Sequence, residues 1–288
     1  MLYVELAIAY DNKSASDIEQ YKQRDRGQIT TGHAQKPVPS IRVALDAHLL
    51  KDGIEEAVRW PLQLAAHAAY IGETGTGKST AVKIAIREAL SVPDCSVILC
   101  DYKAEDFAFL KGKDGYYQGE ECSKGLDRAY GLLMYRKAIP DSSRSFVLFV
   151  FDEWAAYISS FGEDKEGKRQ AAEAKHKLAV LLMLSRSFNI HVLVSQQRGD
   201  AEFFGTARDN FGVAVALGNL SPQSRDMFFS GYKEELEEVN GVGAGYMSIN
   251  RGKPIPIQIP HIDVAQYDAK IAFFFRSPPT PPGGAGEA

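Results

Sequence analysis

The sequence predicts an α/β fold in which helices flank a mostly parallel central sheet. One observation is that short apolar runs recur along the chain and end in polar residues, as at 96–101 and 146–153. Such runs are typical of parallel strands that are buried on both faces. A second observation is that predicted helices, at 81–90 and 120–138, alternate with these runs. The length of 288 residues is enough for one large α/β domain or two small ones.

Residues 1–60 are predicted to form an N-terminal accessory segment. Within it, 41–45 is a candidate strand, and the polar stretch 14–26 is a candidate helix. Ser16 and Glu19 fit the S-x-x-E capping box, so we expect Ser16 to be the N-cap. The basic side chains of this helix either contact phosphates or, as the preferred interpretation, face solvent.

A glycine-rich stretch lies between the apolar run 67–71 and the predicted helix 81–90, and it matches the pattern G-x-x-x-x-G-K-[ST]. Small residues let the backbone N–H groups point at a phosphate, and the following helix adds its N-terminal partial positive charge. Lys78 is expected to reach the β- and γ-phosphates, and the Ser79 hydroxyl to bind Mg²⁺. A glycine-rich turn that binds nothing is the disfavoured alternative. The predicted phosphate site consists of Gly72, Glu73, Thr74, Gly75, Thr76, Gly77, Lys78, Ser79 and Thr80.

Two acids, Asp152 and Glu153, follow the apolar run 146–151. A buried parallel strand delivers such carboxylates to the site at its carboxyl end. We expect Asp152 to hold Mg²⁺, directly or through water, and Glu153 to orient and deprotonate the attacking water. The alternative, that the acids merely begin a loop, is disfavoured because the phosphate loop lies upstream.

The charged stretch 161–177 has two equally weighted interpretations. It either faces DNA or is a solvated loop and helix start. Beyond it, Leu178, Leu181, Leu182 and Ser185 follow helical spacing, which predicts one packed helix face.

Further strands are predicted at 189–195 and 211–217, and a closing hairpin at 244–249 and 254–259. Gln197 comes just after the first of these strands. A polar amide at a strand end beside the γ-phosphate is suited to sensing hydrolysis.

The composition limits the classes of function. The formal net charge is −4, whereas nucleic-acid binders are more often basic, so strong DNA binding by an isolated subunit is not expected. A ring can still concentrate basic residues on one face or in its pore.

Three cysteines without a C-x-x-C pair disfavour a zinc site and fit a reducing, cytoplasmic location. No apolar run of about 18 residues exists, which predicts no membrane span. Residues 264–288 are a predicted tail, disordered from about 277 because of their linker composition.

Six stretches of the chain, in order, carry a shared pattern: His67 with 72–79, 101–103, 152–154, 185–198, 204–211 and 240–245. Together they resemble the motor domain of the FtsK/SpoIIIE DNA translocases, within the HerA/FtsK group of P-loop ATPases. The resemblance covers about residues 60–260 and predicts a motor domain at 61–263. The last three stretches go beyond a generic ATPase and are the most specific. Tyr102 and Gly199 depart from the pattern, since the family has proline at both places.

This resemblance implies a RecA-like P-loop NTPase fold of the ASCE type, with ATP and Mg²⁺ as cofactors. It implies that Arg186 is an arginine finger and that Gln197 is the polar residue at the end of the fourth core strand. The implied function is ATP-driven movement of double-stranded DNA by a homo-oligomeric ring, a hexamer in the family, with a membrane-bound or DNA-processing partner. The short chain looks like family members encoded by conjugative or integrative elements.

Two alternatives stay open from the sequence. One is a secretion ATPase that moves polypeptide, as type VII secretion ATPases of the same family do, and the mild acidity of the chain favours it modestly. The other is a nucleotide-gated binding module without hydrolysis. The complete set of Lys78, Ser79, Asp152 and Glu153 argues against that module.

Overall fold

The computed structural model describes residues 40–139 and 144–275. These residues contain one sheet of ten strands. The strands are β1 Ser40–Asp46, β2 Ala57–Pro61, β3 His67–Gly72, β4 Ser96–Asp101, β5 Tyr116–Gln118, β6 Val147–Asp152, β7 Ile190–Gln196, β8 Phe211–Leu217, β9 Ala244–Ile249 and β10 Ile255–Gln258.

The strand order is β2-β1-β10-β9-β8-β3-β7-β6-β4-β5. From β8 to β5 every neighbouring pair is parallel, which confirms the predicted α/β class. On the other side of β8, the strands β9, β10, β1 and β2 extend the sheet with antiparallel pairs. Strand β3 therefore lies between β8 and β7, with its carboxyl end at the same edge as theirs.

Helices cover both faces of this sheet. They are α1 Ala47–Lys51, α2 Lys78–Leu90, α3 Cys122–Ala138, α4 Trp154–Ser159, α5 Lys165–Leu184, α6 Pro222–Phe229 and α7 Val264–Phe274. Helix α2 packs against α7 and β1 on one face, while α3 packs against α5 on the other. Alternate residues of β6 divide between the two cores: Leu148 and Val150 belong to the α2 side, and Phe149 and Phe151 to the α3 side. This alternation explains why the strand reads as a continuous apolar run.

Most predicted elements are found where they were expected. The candidate strand 41–45 is β1, the hairpin is β9 and β10 with Tyr246 opposite Pro256, and the apolar face of α5 is buried at Leu178, Leu181 and Leu182. The predicted helix 120–138 begins at Cys122, after a short 3₁₀ turn.

Other predictions need correction or fall elsewhere. Within 161–177, Asp164 caps α5 by accepting a bond from the Gly167 N–H, so one continuous helix replaces most of the expected loop. The capping box at Ser16 and the tail from 277 lie outside the described residues. The boundaries at residues 60 and 263 stay predictions, although β1 pairs with β10 and α7 packs on α2 across them.

Candidate nucleotide-binding site

The phosphate loop connects β3, which is buried along its whole length, to α2, which begins at Lys78. Gly75 and Gly77 have φ angles of 84° and 94°, in the left-handed region where a side chain would be strained. The loop is closed on itself because the Thr76 backbone and hydroxyl both donate to the Glu73 carbonyl, at 3.3 and 2.8 Å. The sequence pattern thus folds into the strand, loop and helix arrangement that exposes N–H groups to a phosphate.

The segment before β9 braces this loop from the side. The Gly243 N–H donates to the Thr76 carbonyl at 2.8 Å, and the Gly243 carbonyl accepts from Ile259 at 2.8 Å. A Cβ added at Gly77 would lie 3.2 Å from the Gly243 nitrogen, so the two backbones are in close contact. The hairpin of β9 and β10 therefore holds the phosphate loop in position.

Asp152 ends β6, which is separated from β3 by β7 alone. Its side chain is buried, accepts a hydrogen bond from the Ser195 hydroxyl on β7, and lies 3.7 Å from the Lys78 ammonium. Burial raises the pKa of Asp152 to about 6, although Lys78 and Ser195 act in the opposite direction. The carboxylate is thus held at the sheet edge that carries the phosphate loop.

Glu153 follows in the left-handed region, with a φ of 61°, and turns the chain into α4. Its Oε1 lies 2.8 Å from the Lys78 Nζ and 3.1 Å from the Lys103 Nζ. Burial raises the pKa of Glu153, but the two lysines outweigh that effect and hold the pKa below its usual value. Burial also lowers the pKa of Lys78, and Asp152 and Glu153 more than reverse this effect. Lys78, Asp152 and Glu153 are therefore a buried cluster in which the lysine and Glu153 favour each other's charged forms.

The Ser79 hydroxyl donates to the Asp106 carboxylate at 2.5 Å. Asp106 and Lys103 both lie in the loop that follows β4, and Ser195 is on β7; the sequence analysis assigned none of these three to the site. One signal was present: the run 96–101 ends in an acid, so the residues after it belong at the carboxyl edge of the sheet, beside those after β6.

Gln197 lies just past the end of β7 and lines a cleft beside Gly72 and Glu73, next to the phosphate loop. Its neighbour Gln196 is buried and donates to the Arg198 carbonyl. The Gln196 Oε1 has no hydrogen-bond partner within the described ranges. The predicted amide is therefore close to the phosphate loop in space.

Arg186 is not brought to this site. It lies in a 3₁₀ turn that precedes β7 and donates to the Gln63 carbonyl, which precedes β3. The phosphate loop follows the other, carboxyl end of β3, and the two strands are parallel. Arg186 therefore lies at the amino ends of the parallel strands, whereas the phosphate loop of its own chain lies at their carboxyl ends.

The donor set at the loop fits Mg²⁺. The Ser79 hydroxyl and the Asp106 and Asp152 carboxylates supply oxygens, the ligands this ion prefers. The described residues hold no group of three histidine, cysteine or acidic side chains that could bind a metal alone.

The fold and the site together define the class of P-loop ATPases. The phosphate loop follows β3, and Asp152 and Glu153 lie at the end of β6, which is separated from β3 by β7. The solved structures with this fold include the pCW3 conjugation coupling protein TcpA with ATPγS (TM-score 0.62, 18% identity, 84% of this chain and 72% of that chain). They also include the cytoplasmic domain of the type VII secretion ATPase EccC from Thermomonospora curvata (TM-score 0.59, 17% identity, 88% and 34%). At these identities the likeness concerns the fold.

Curated relatives confirm the predicted resemblance to FtsK-type proteins. The chain is 22% identical over 243 residues to the FtsK domain-containing protein YdcQ of Bacillus subtilis (strain 168), which covers 77% of this chain and 49% of YdcQ. It is 24% identical over 275 residues to the DNA translocase FtsK of Chlorobaculum tepidum, covering 82% of this chain and 32% of that protein. The chain thus spans about half or less of these relatives. No family model matches it. None of the helices in the described ranges has the length and hydrophobicity to cross a bilayer.

Proposed function

We propose that this chain is the motor subunit of a cytoplasmic DNA translocase that couples Mg-ATP hydrolysis to the movement of double-stranded DNA. The observation that carries the proposal is the convergence of Lys78, Ser79, Asp152 and Glu153 beside one phosphate loop. The structural neighbours are ATPases, and one is described with ATPγS, which supports hydrolysis of ATP. The proposed role places the chain in DNA transfer or segregation.

In this proposal each residue of the site has a task. Lys78 exchanges its partner Glu153 for the β- and γ-phosphates when a nucleotide enters the loop. Ser79 and Asp152 hold Mg²⁺, which neutralises charge on the phosphates. Glu153 remains ionised and accepts the proton of the attacking water. Gln197, beside the phosphate loop, responds to the presence of the γ-phosphate.

The position of Arg186 supports a ring. A cation at the edge opposite its own phosphate loop is placed to reach the phosphate loop of a neighbouring copy, where it would stabilise the transition state. In the FtsK/SpoIIIE family such rings are hexamers, and we propose a homo-hexamer here. A membrane-bound or DNA-processing partner would then recruit the ring to its DNA.

The names of the relatives favour DNA as the cargo but support a second candidate. DNA translocase FtsK acts on DNA by name, and TcpA is named as a conjugation coupling protein. EccC is a type VII secretion ATPase, and another EccC structure contains a signal sequence peptide. A polypeptide-moving secretion ATPase is therefore the alternative, and the net charge of −4 favours it modestly.

The experiment that separates them is steady-state ATP hydrolysis with Mg²⁺ at low salt, alone, with long double-stranded DNA and with a signal-sequence peptide. Backbone contacts make DNA binding salt-dependent and largely independent of sequence, so stimulation should fade as salt is raised. Stimulation by DNA that the Lys78→Ala variant lacks supports the DNA motor. Stimulation by the peptide alone supports the alternative, and turnover no higher than that of Lys78→Ala in every condition contradicts both.

A further inference from the structure

The loop that follows β4 forms part of the site and is held in place by hydrogen bonds. The Asp101 carboxylate accepts hydrogen bonds from the backbone N–H groups of Ala104 and Phe107, at 2.9 and 3.2 Å, and from the Tyr116 hydroxyl at 3.1 Å. Ala104 has a φ of 58°, and the Phe107 ring is fully buried. Because the carboxylate and the ring hold both halves of the loop, the residues between them have defined positions.

This loop contacts the phosphate site at two points. The Lys103 Nζ lies 3.1 Å from the Glu153 Oε1, and Asp106 accepts the Ser79 hydroxyl. The side chain of Lys103 is 36% exposed, whereas that of Glu153 is 8% exposed. A lysine from the rim therefore reaches inward to a carboxylate that has little contact with water.

Glu153 has two cationic partners, and only one of them belongs to the phosphate loop. Lys78 is drawn to the phosphates when a nucleotide binds, and Glu153 then loses its closer partner at 2.8 Å. A buried carboxylate without a partner is strongly destabilised, and its side chain would turn towards solvent. Lys103 can keep its contact with Glu153, because the hydrogen bonds of Asp101 hold its loop independently of Lys78.

We propose that Lys103 is a positioning residue that holds the Glu153 carboxylate aimed at the attacking water during hydrolysis. The inference rests on the proposed function, because it needs Glu153 to be the base. Lys103 acts through Glu153, the carboxylate that its ammonium contacts. Loss of Lys103 should therefore lower kcat and leave KM nearly unchanged, since nucleotide binding depends on the phosphate loop.

The test compares Lys103→Met, Lys103→Arg and the matched control Lys111→Met, an exposed lysine farther along the same segment. We expect Lys103→Met to lower kcat about tenfold or more with KM within about twofold, as for a disturbed general base. Lys103→Arg should recover most of kcat, and Lys111→Met should match the parental chain. Equal kcat in the two Met variants, or a parallel loss of nucleotide affinity in Lys103→Met, would overturn the inference.

A second measurement needs no turnover. In nucleotide-free protein, Lys103→Met should lower the thermal midpoint in the parental chain but not in a Glu153→Gln background, because the ion pair is then already absent. An equal change of the thermal midpoint in both backgrounds would show that Lys103 and Glu153 do not interact. If the parental chain shows no turnover, the proposed function fails; if it turns over and Lys103→Met does so equally, only this inference fails.

Discussion

Lys78 is held by ion pairs within the candidate site. Its side chain is 6% exposed and forms ion pairs with Asp152 and Glu153. Its charge therefore already has partners, and a bound phosphate must compete with them. The affinity for nucleotide is set by the difference between the two sets of contacts.

Lys78→Ala should abolish nucleotide binding and turnover, because the loop loses the charge that reaches the β- and γ-phosphates. Binding of a fluorescent ATP analogue and steady-state hydrolysis measure both effects. The exposed Lys51→Ala is the control and should behave as the parental chain does. Retained affinity in Lys78→Ala would contradict the assignment of the phosphate site.

Glu153→Gln should bind ATP but hydrolyse it about 100-fold more slowly or worse, since the amide cannot accept the proton of the attacking water. Rapid filtration after mixing with ATP should show nucleotide retained on the variant. Glu163→Gln changes an exposed acid nearby and serves as the comparison. Parental hydrolysis by Glu153→Gln would remove Glu153 from the role of base.

At the scale of elements, α3 is fitted closely to the sheet at one point. A Cβ built on Gly125 would lie 2.4 Å from the Cys100 Sγ and 2.8 Å from the Tyr117 ring. The same helix carries Gly131, where an added Cβ meets nothing within 4 Å. The packing of α3 therefore requires glycine at position 125 but leaves room for a side chain at position 131.

Gly125→Ala should destabilise the fold by about 1–3 kcal/mol, because the helix must move away from β4. Gly131→Ala should be neutral or stabilising by up to about 1 kcal/mol, through helix propensity. Urea denaturation of the two variants and the parental chain measures the difference. A Gly125→Ala chain as stable as Gly131→Ala would show that α3 packs more loosely than the structure indicates.

The sequence was sufficient for elements with a local pattern. The phosphate loop, the acids at 152 and 153 and the apolar strands could be predicted because each is defined by adjacent residues. The three-residue β5 has no apolar run, and β2 includes Arg59 and Pro61, so neither was identified. The contacts of Lys103 and Asp106 depend on a loop conformation that Asp101 sets through its hydrogen bonds. No spacing rule in the sequence indicates that conformation.

At the scale of the whole molecule, two buried histidines link stability to pH. His67 on β3 accepts a bond from the Val192 N–H, and His191 on β7 donates to the Ala66 carbonyl. Burial lowers the pKa of His67 to about 3, with smaller effects of His191 and Arg186, and lowers the pKa of His191 to about 4. Both are therefore neutral in the folded chain. Asp152 acts in the opposite direction, because burial raises its pKa.

Because the histidine pKa values are lower in the folded chain, the unfolding free energy falls as the pH is lowered. The histidine contribution is fully present above an unfolded pKa of 6.5 and is lost as the pH falls towards about 4 and then about 3. Between about pH 7 and pH 5, each histidine should remove at most about 2 kcal/mol of unfolding free energy. Urea denaturation should show a smaller loss in a His67→Gln, His191→Gln double variant, in which the Asp152 contribution is unchanged. Equal losses would mean that the histidines are accessible to protons.

The position of Arg186 makes a prediction for the assembly. Arg186→Ala should bind nucleotide normally and lose hydrolysis that depends on assembly, and Lys78→Ala should be inactive for a different reason. A mixture of the two variants should recover turnover, because a loop from one chain can meet an arginine from the other. Hydrolysis is measured against total protein concentration. A mixture no more active than its components would contradict an arginine supplied by a neighbour.

The central place of β3 also has a consequence for how the chain folds. Its first residue, His67, is hydrogen-bonded to Val192, 125 residues later in the sequence, and the phosphate loop is braced by Gly243. Such pairings close long loops and form slowly. During synthesis, the segment that binds phosphate has no neighbouring strands until β7 and β8 have also been made. Competence to bind nucleotide is therefore acquired only after the segment around Gly243 has left the ribosome, and until then the apolar β3 depends on being kept from other chains.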